Sequence, residues 1–422
     1  MDGSSTERRA RLENLLHLAR VSRGISRAKL ARSLGRDPTK ILPDSGNPKI
    51  DYVVKLAEVL EWPVGDVVDA IWKGHSPTQD PAPATDESFE SLNRLLLDAI
   101  GGGRFREAVG IAQRMFSVAR TAEERAHACV REAAGWDGLG RYAKVEDAAR
   151  RGLGQSGMSL RLRLVLQATL ANAQYALWDL VPALGTCEVL ARWYEENPPE
   201  RRREFKRVAY VRYVRGNTLR RLAATEPERA ELHAAAAKRD LEYAADLYTS
   251  LAEELGEPAL EALAHTCRGG LIELETMIGT RGPEEAVEEI VGVIEGADLS
   301  ESAHGDWIES IGWWCVFGSS IALRHLEGRA LQRAVQCLVN RGLEVAERAD
   351  QWALRERLFS LQFQLHRTVE EATGLDLQLS LDDRTRANIT GAMGRFPRFS
   401  ETGWHMLETA HVIPSQREGV DA

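Results

Sequence analysis

Three stretches of the chain share one turn pattern, and their spacing constrains the fold more than any other feature. "GGRFREAVGIAQRMF", "LGRYAKVEDAARRGL" and "ALWDLVPALGTCEVL" align on Gly103, Gly140 and Trp178. An aromatic or leucine follows two residues later (Phe105, Tyr142, Leu180), and a small or branched residue five later (Ala108, Val145, Ala183). The anchors lie 37 and 38 residues apart, which is room for two amphipathic helices and two turns. Such a unit cannot bury its apolar face alone, so units must stack and share a core. In the first two turns the glycine makes the reversal, and the aromatic is expected to plug between the two helices. The small residue lets the second helix approach the first.

Later pairs keep the helices and lose the turn signature. Glu204–Leu222 with Arg229–Leu255 makes a fourth pair, Ala259–Ile278 with Pro283–Glu295 a fifth, and Asp306–Leu326 with Gly328–Ala349 a sixth. Trp352–Thr373 reads as a further helix. The Gly-x-aromatic-x-x-small core resembles the tetratricopeptide repeat, at a slightly longer period. Residues 89–375 are therefore expected to form an α-solenoid, with residues 376–422 as a C-terminal capping region.

The resemblance implies a concave face lined by the first helix of each pair, able to hold an extended peptide. By analogy with peptide-binding members, Asn172, six residues before its turn, and Asn217 would grip a ligand backbone through both donor and acceptor. Arg220 and Arg221 lie beside Asn217 in sequence and are placed to meet a carboxylate. Trp313 and Phe317, in "WIESIGWWCVFG", are candidate aromatic anchors, although most of that stretch should be repeat core. The basic run "PPERRREFKR" interleaves Glu200 and Glu204 with its cations. It reads as a solvated helix start with i,i+4 pairs rather than a nucleic-acid patch.

The charge is unevenly distributed. Residues 1–50 carry eleven Lys/Arg against five Asp/Glu, while the whole chain has a net charge of −9. A basic head on an acidic body points to an anionic partner for the head, although a solvated surface explains the charge alone equally well. Between head and body, "KGHSPTQDPAPATDES" (73–88) has three prolines and is expected to be an extended, mobile linker.

Residues 1–72 read as five short helices. Ser26 is placed to cap the second, Gly35 to end it, and Asp37-Pro38 to start the third. "GISRAKLARSLG" followed by "NPKIDYVVKLAEVLEWPVGDVV" resembles the xenobiotic-response-element, or lambda-repressor-like, helix-turn-helix family. That family reads base edges with the start of its third helix. Arg36, Thr39 and Lys40 would reach bases, and Arg27 and Lys29 would hold phosphates. Only five residues separate Ile41 from Asn47, and Pro43 lies among them, so the third helix should be short, about Pro38 to Leu42.

The full reading is all-α: a small five-helix helix-turn-helix domain joined to a tetratricopeptide-like α-solenoid. Together these resemble bacterial regulators, including peptide-pheromone receptors of the RRNPP class. The resemblance implies a cytoplasmic homodimer that binds double-stranded DNA and a peptide or protein ligand. The alternative is an interaction scaffold whose head is a docking module. No H-E-x-x-H, G-x-S-x-G, P-loop or dinucleotide motif occurs, and the ten histidines lie far apart, so neither enzyme nor cofactor is expected. The five cysteines include no C-x-x-C, which fits a reducing cytosol. The N-terminus has no signal-peptide core, and the uncharged stretch Ser310–Leu323 falls short of the roughly 20 residues that span a bilayer.

Overall fold

The computed structural model describes residues 3–23, 25–43, 47–60, 62, 64–72, 88–297, 305–374 and 379–412. The Pro-rich linker lies outside the described residues except for its last, Ser88. Among those described, the chain is all-α, with nineteen α-helices in sequential packing. It divides into two compact units: residues 81–365, and residues 1–80 together with 366–422.

In the smaller unit, α1 (Gly3–Arg23), α2 (Arg27–Ser33), α3 (Ile50–Leu60) and α4 (Val64–Trp72) form the head. Leu12, Leu30, Leu56 and Ile71 are fully buried between them. The Ser26 hydroxyl caps α2 by accepting from Lys29 N, and Gly35 turns the chain with φ +66°. The third element is shorter than the sequence reading has it. Only a single 3-10 turn forms, Pro38–Lys40, with Asp37 accepting from Thr39 N. Ile41 then dives into the core and Pro43 follows, so there is no room for a second turn.

The larger unit contains the expected pairs. They are α5 (Phe89–Gly101) with α6 (Phe105–Val118), α7 (Ala122–Gly138) with α8 (Tyr142–Leu153), and α9 (Leu160–Ala176) with α10 (Leu180–Glu196). Then come α11 (Phe205–Thr225) with α12 (Ala230–Leu255), α13 (Pro258–Met277) with α14 (Pro283–Glu295), and α15 (Gly305–His325) with α16 (Gly328–Arg348). Next is α17 (Trp352–Thr373), within which the boundary between the units falls. Polar caps fix the starts: Ser88 for α5, Ser159 for α9, and a reciprocal Thr121–Glu124 capping box for α7.

The three anchors share one backbone conformation. Gly103, Gly140 and Trp178 have φ of +70°, +63° and +65°. A left-handed tryptophan is strained by about 1–2 kcal/mol, and packing must offset that. Its ring lies near the guanidinium carbons of both Arg221 and Arg357, at 4.3 and 4.6 Å. Ala108 and Ala183 are fully buried, as the register requires. The aromatic acts differently from expectation. Phe105 of α6 packs on Gly138 of α7, where any Cβ would overlap its ring, so it plugs the joint between consecutive pairs.

First helices also touch first helices, α7 on α9, α9 on α11, α11 on α13 and α13 on α15, which curls the array. The curl brings the α7–α8 turn onto the start of α17. A Cβ at Gly140 would stand 2.7 Å from the Gln351 side-chain oxygen and 3.1 Å from Trp352 N.

The last helices, α18 (Asp383–Arg395) and α19 (Phe399–Thr409), belong to the head unit rather than to the end of the array. Both pack on α1. Trp404 stacks on His17 at 4.8 Å between ring centroids, and Gly394 admits the Trp62 ring. A two-residue parallel pairing of β1 (Ser380–Leu381) with β2 (His411–Val412) closes this segment.

Candidate functional site

The curl of the larger unit encloses a cavity of about 270 Å³. Its walls come from first helices, as the repeat reading requires: Asp137 on α7, Asn172 and Tyr175 on α9, Tyr210, Tyr213 and Arg221 on α11, Thr266 on α13, and Glu309 and Trp313 on α15. Tyr142 and Glu356 are contributed by α8 and α17. A second, more open chamber of about 660 Å³ adjoins it, and Tyr210 and Leu263 line both.

The first chamber is acidic and aromatic. Burial raises the Asp137 carboxyl to about 6, against a hydrogen bond from Tyr142 that lowers it. Burial raises Glu309 to about 7, with the charges of Asp137 and Asp306 adding to the shift. Glu309 accepts from Trp313 Nε1 at 3.2 Å and from Gln351 Nε2 at 3.1 Å, both neutral donors. Burial likewise pushes the Tyr142, Tyr210 and Tyr213 hydroxyls well above their usual range, so they stay protonated.

The second chamber is basic. Arg131, Arg161, Lys206, Arg207 and His127 line it. Its one lining carboxylate, Glu123, accepts from both the backbone N and the hydroxyl of Ser159. Burial and the neighbouring Arg161 lower Arg207, and burial and Arg131 lower His127. Tyr248 is 1% exposed and lines this chamber, yet its hydroxyl has no hydrogen-bond partner.

The sequence candidates divide into two groups. Asn172, Arg221 and Trp313 line the first chamber. Among the described residues the Asn172 amide makes no hydrogen bond within the protein, so its donors and acceptor stay available to a ligand. Arg221 is committed: it donates to Tyr175 O at 2.7 Å and its guanidinium carbon lies 3.9 Å from the Tyr175 ring centroid. Burial lowers it to about 10.

Asn217, Arg220 and Phe317 are interior instead. Asn217 donates to Tyr213 O and accepts from Arg220 Nε. Arg220 forms a buried ion pair with Glu273 and covers the Phe317 ring at 4.7 Å. Their job is to join α11, α13 and α15. The register explains the misplacement. Asn172 stands five residues before its helix C-cap, Leu177, and the α11 residue in that place, before Glu226, is Arg221. The basic run is ion-paired, but not in the expected i,i+4 way: Arg202 reaches Glu254 and Lys206 reaches Glu257, both on the following helices or their connection, and Arg207 pairs with Glu204 three residues before it.

On the head, Arg27, Lys29, Thr39 and Lys40 are exposed and Arg36 is half-buried. Arg27 Nε donates to Pro38 O at 3.3 Å, which ties α2 to the 3-10 turn. Arg36 lies over Tyr52 at 5.6 Å, and the Tyr52 hydroxyl donates to Ile41 O. Both the Thr39 hydroxyl and its N–H donate to Asp37. Arg27 thus joins α2, which also carries Lys29, to the turn that carries Thr39 and Lys40.

Sequence reasoning missed Asp137, Glu309, Glu356, Tyr210 and Tyr213. Glu356 lies on α17 and the other four on first helices, yet no motif marks them. Tyr142 was visible as a turn aromatic, and it lines the chamber. Among the described residues no group of three His, Cys, Asp or Glu is placed to hold a metal ion. None of their helices is long and apolar enough to cross a membrane. Comparison of the chain with family models and with curated proteins gives no match.

Proposed function

We propose that the protein is a ligand-responsive DNA-binding regulator: the helical array holds a short peptide and the head binds duplex DNA, in a homodimer. The observation that carries this reading is the enclosed groove lined by first helices, with the unpaired amide of Asn172 facing it. An amide with free donor and acceptor suits a peptide backbone, which offers the reverse pair at each residue. On the head, a capped α2, a left-handed glycine and the cluster Arg27, Lys29, Arg36, Thr39 and Lys40 match the order of the xenobiotic-response-element helix-turn-helix. Phosphate neutralisation supplies the affinity, and Arg36, Thr39 and Lys40 supply what base reading there is.

A second reading has its own support. One 3-10 turn is a poor probe of a major groove about 12 Å wide, which favours a head that docks on protein within an interaction scaffold. A pull-down of fragmented genomic DNA on the full chain at low salt, followed by sequencing, separates the two. The regulator reading expects enrichment of a shared sequence. Recovery of no DNA above a bare-resin control removes it and leaves the scaffold.

A further inference from the structure

The first chamber holds more carboxylates than cations. Asp137, Asp306, Glu309 and Glu356 line it against one guanidinium, Arg221, which is committed to the Tyr175 carbonyl and ring. Asp306 is exposed to solvent, and the charges of Arg221 and Arg357 face Glu356. Asp137 and Glu309 have no such relief. Asp137 accepts from Tyr142, and Glu309 from Trp313 and Gln351; all three donors are neutral. Neither carboxylate forms an ion pair among the described residues. In the wall of an enclosed cavity an unbalanced negative charge is poorly solvated, and a cation placed beside it is held strongly.

The other walls select the kind of cation. Tyr142 and Trp313 touch the two carboxylates directly. Tyr210 lies close enough to Asp137, and Tyr213 to Glu309, to feel their charge. Ring surface attracts a cation that gives up its water. Asn172 adds an amide oxygen with no hydrogen bond inside the protein. Ala259, Ala262 and Leu263, on α13, give the chamber an apolar side. A metal ion fits this poorly, because among the described residues no three His, Cys, Asp or Glu converge on one point. A primary ammonium on an alkyl stem fits every wall. Its three N–H donors meet carboxylate and amide oxygens, and its methylenes meet alanine and leucine.

We propose that the first chamber is a site for a primary alkylammonium, its charge held by Asp137 and Glu309 and its stem lying on the α13 wall. Two sources supply this chemistry: the side chain of a lysine within a peptide, and a free alkylamine. In the first case the proposal rests on the peptide reading above and adds a residue requirement to it. The cavity, about 270 Å³, lies just below the roughly 300–1,000 Å³ of drug-sized pockets, so it suits one side chain or one small amine.

The test titrates the full chain with four probes at pH 8 and follows binding by saturation-transfer NMR. Two are n-pentylamine and n-pentanol. The others are an alanine pentapeptide blocked at both ends, with lysine or norleucine at its centre. Within a pair, the ammonium probe should bind about tenfold or more tightly than its neutral partner. Asp137→Asn and Glu309→Gln should each remove most of that preference, while Glu188→Gln, exposed on α10 and outside the chamber, should leave it intact. Thermal melts confirm that each variant is folded. A variant that keeps its melting midpoint and loses the preference separates a ligand-holding carboxylate from a merely structural one. Preference in both pairs supports the site and assigns the lysine source. Preference in the amine pair, with neither peptide bound, supports the site, assigns the free amine and counts against the peptide reading. Equal binding of the two peptides overturns the ammonium site and leaves the peptide reading standing. A preference that survives both chamber substitutions, or binding of no probe, overturns the proposal.

Discussion

Glu309→Gln should stabilise the empty protein at alkaline pH and leave it unchanged at acid pH. The Glu309 carboxyl rises from 4.5 to about 7, mainly through burial, with Asp137 and Asp306 adding repulsion. Between those values the folded chain holds a proton that the unfolded chain has lost. Stability therefore falls as pH rises from about 4.5 to about 7 and stays low above it. A shift of this size corresponds to roughly 3 kcal/mol at full burial. Glu309 is only half-buried and faces the cavity, so solvent there relieves part of the strain, and about 1–3 kcal/mol is expected. Glutamine keeps the acceptor oxygen that Trp313 and Gln351 use, so the substitution removes charge without removing those bonds. The assay is the thermal midpoint of the full chain at pH 5 and pH 8, by far-ultraviolet circular dichroism. The variant should melt roughly 2–6 °C above the parent at pH 8 and together with it at pH 5. Identical midpoints at both pH values, or a lower variant midpoint at pH 8, would refute the idea that Glu309 is held uncompensated.

Ala108→Glu and Ala183→Glu put a charge into fully buried helix joints and should each destabilise by about 3 kcal/mol or more; an unchanged urea midpoint contradicts the register. Gly140→Ala should cost more than Gly103→Ala, because both have positive φ but only Gly140 abuts Gln351 and Trp352. The shared part, about 1–2 kcal/mol, should appear in both, and equal melting losses would show that the array does not close there. His265 is lowered to about 4 by burial, helped by Arg268, so the folded state resists protonation. Its contribution is present above about 6.5 and is lost as pH falls towards 4, and His265→Phe should flatten that acid limb of the melting profile.

The helix pairs were legible because their turns obey local rules. A positive φ, a following apolar plug and a buried small residue recur at fixed offsets, so Trp178 could be aligned with two glycines despite its bulk. Asn172 was legible because the α9–α10 turn anchors its register. Asn217 was misread because α11 ends at Glu226 in a 3-10 connection with no left-handed anchor from which to count. The acidic chamber was not legible. Asp137 and Glu309 are brought together by the accumulated curl of four intervening pair joints, set by contacts such as Phe317 and Trp314 on Gly269 that no periodicity encodes. The C-terminal helices carried too little pattern to show that they pack on α1, which rests on single matches such as His17 with Trp404.

On the proposed function, the head grips DNA through α2 and the short turn after Gly35. The direct measurement is a titration of duplex DNA with the full-length protein at several salt concentrations, comparing the sequence enriched from the genome with a scrambled one. The account predicts salt-sensitive binding to both and tighter binding to the enriched site. Lys29→Ala should weaken both duplexes about equally and lower the salt slope by about one. Lys40→Ala should cost about 1–3 kcal/mol on the enriched site alone. Absence of binding to either duplex at low salt, with the protein folded, would contradict the claim and make the head a docking module.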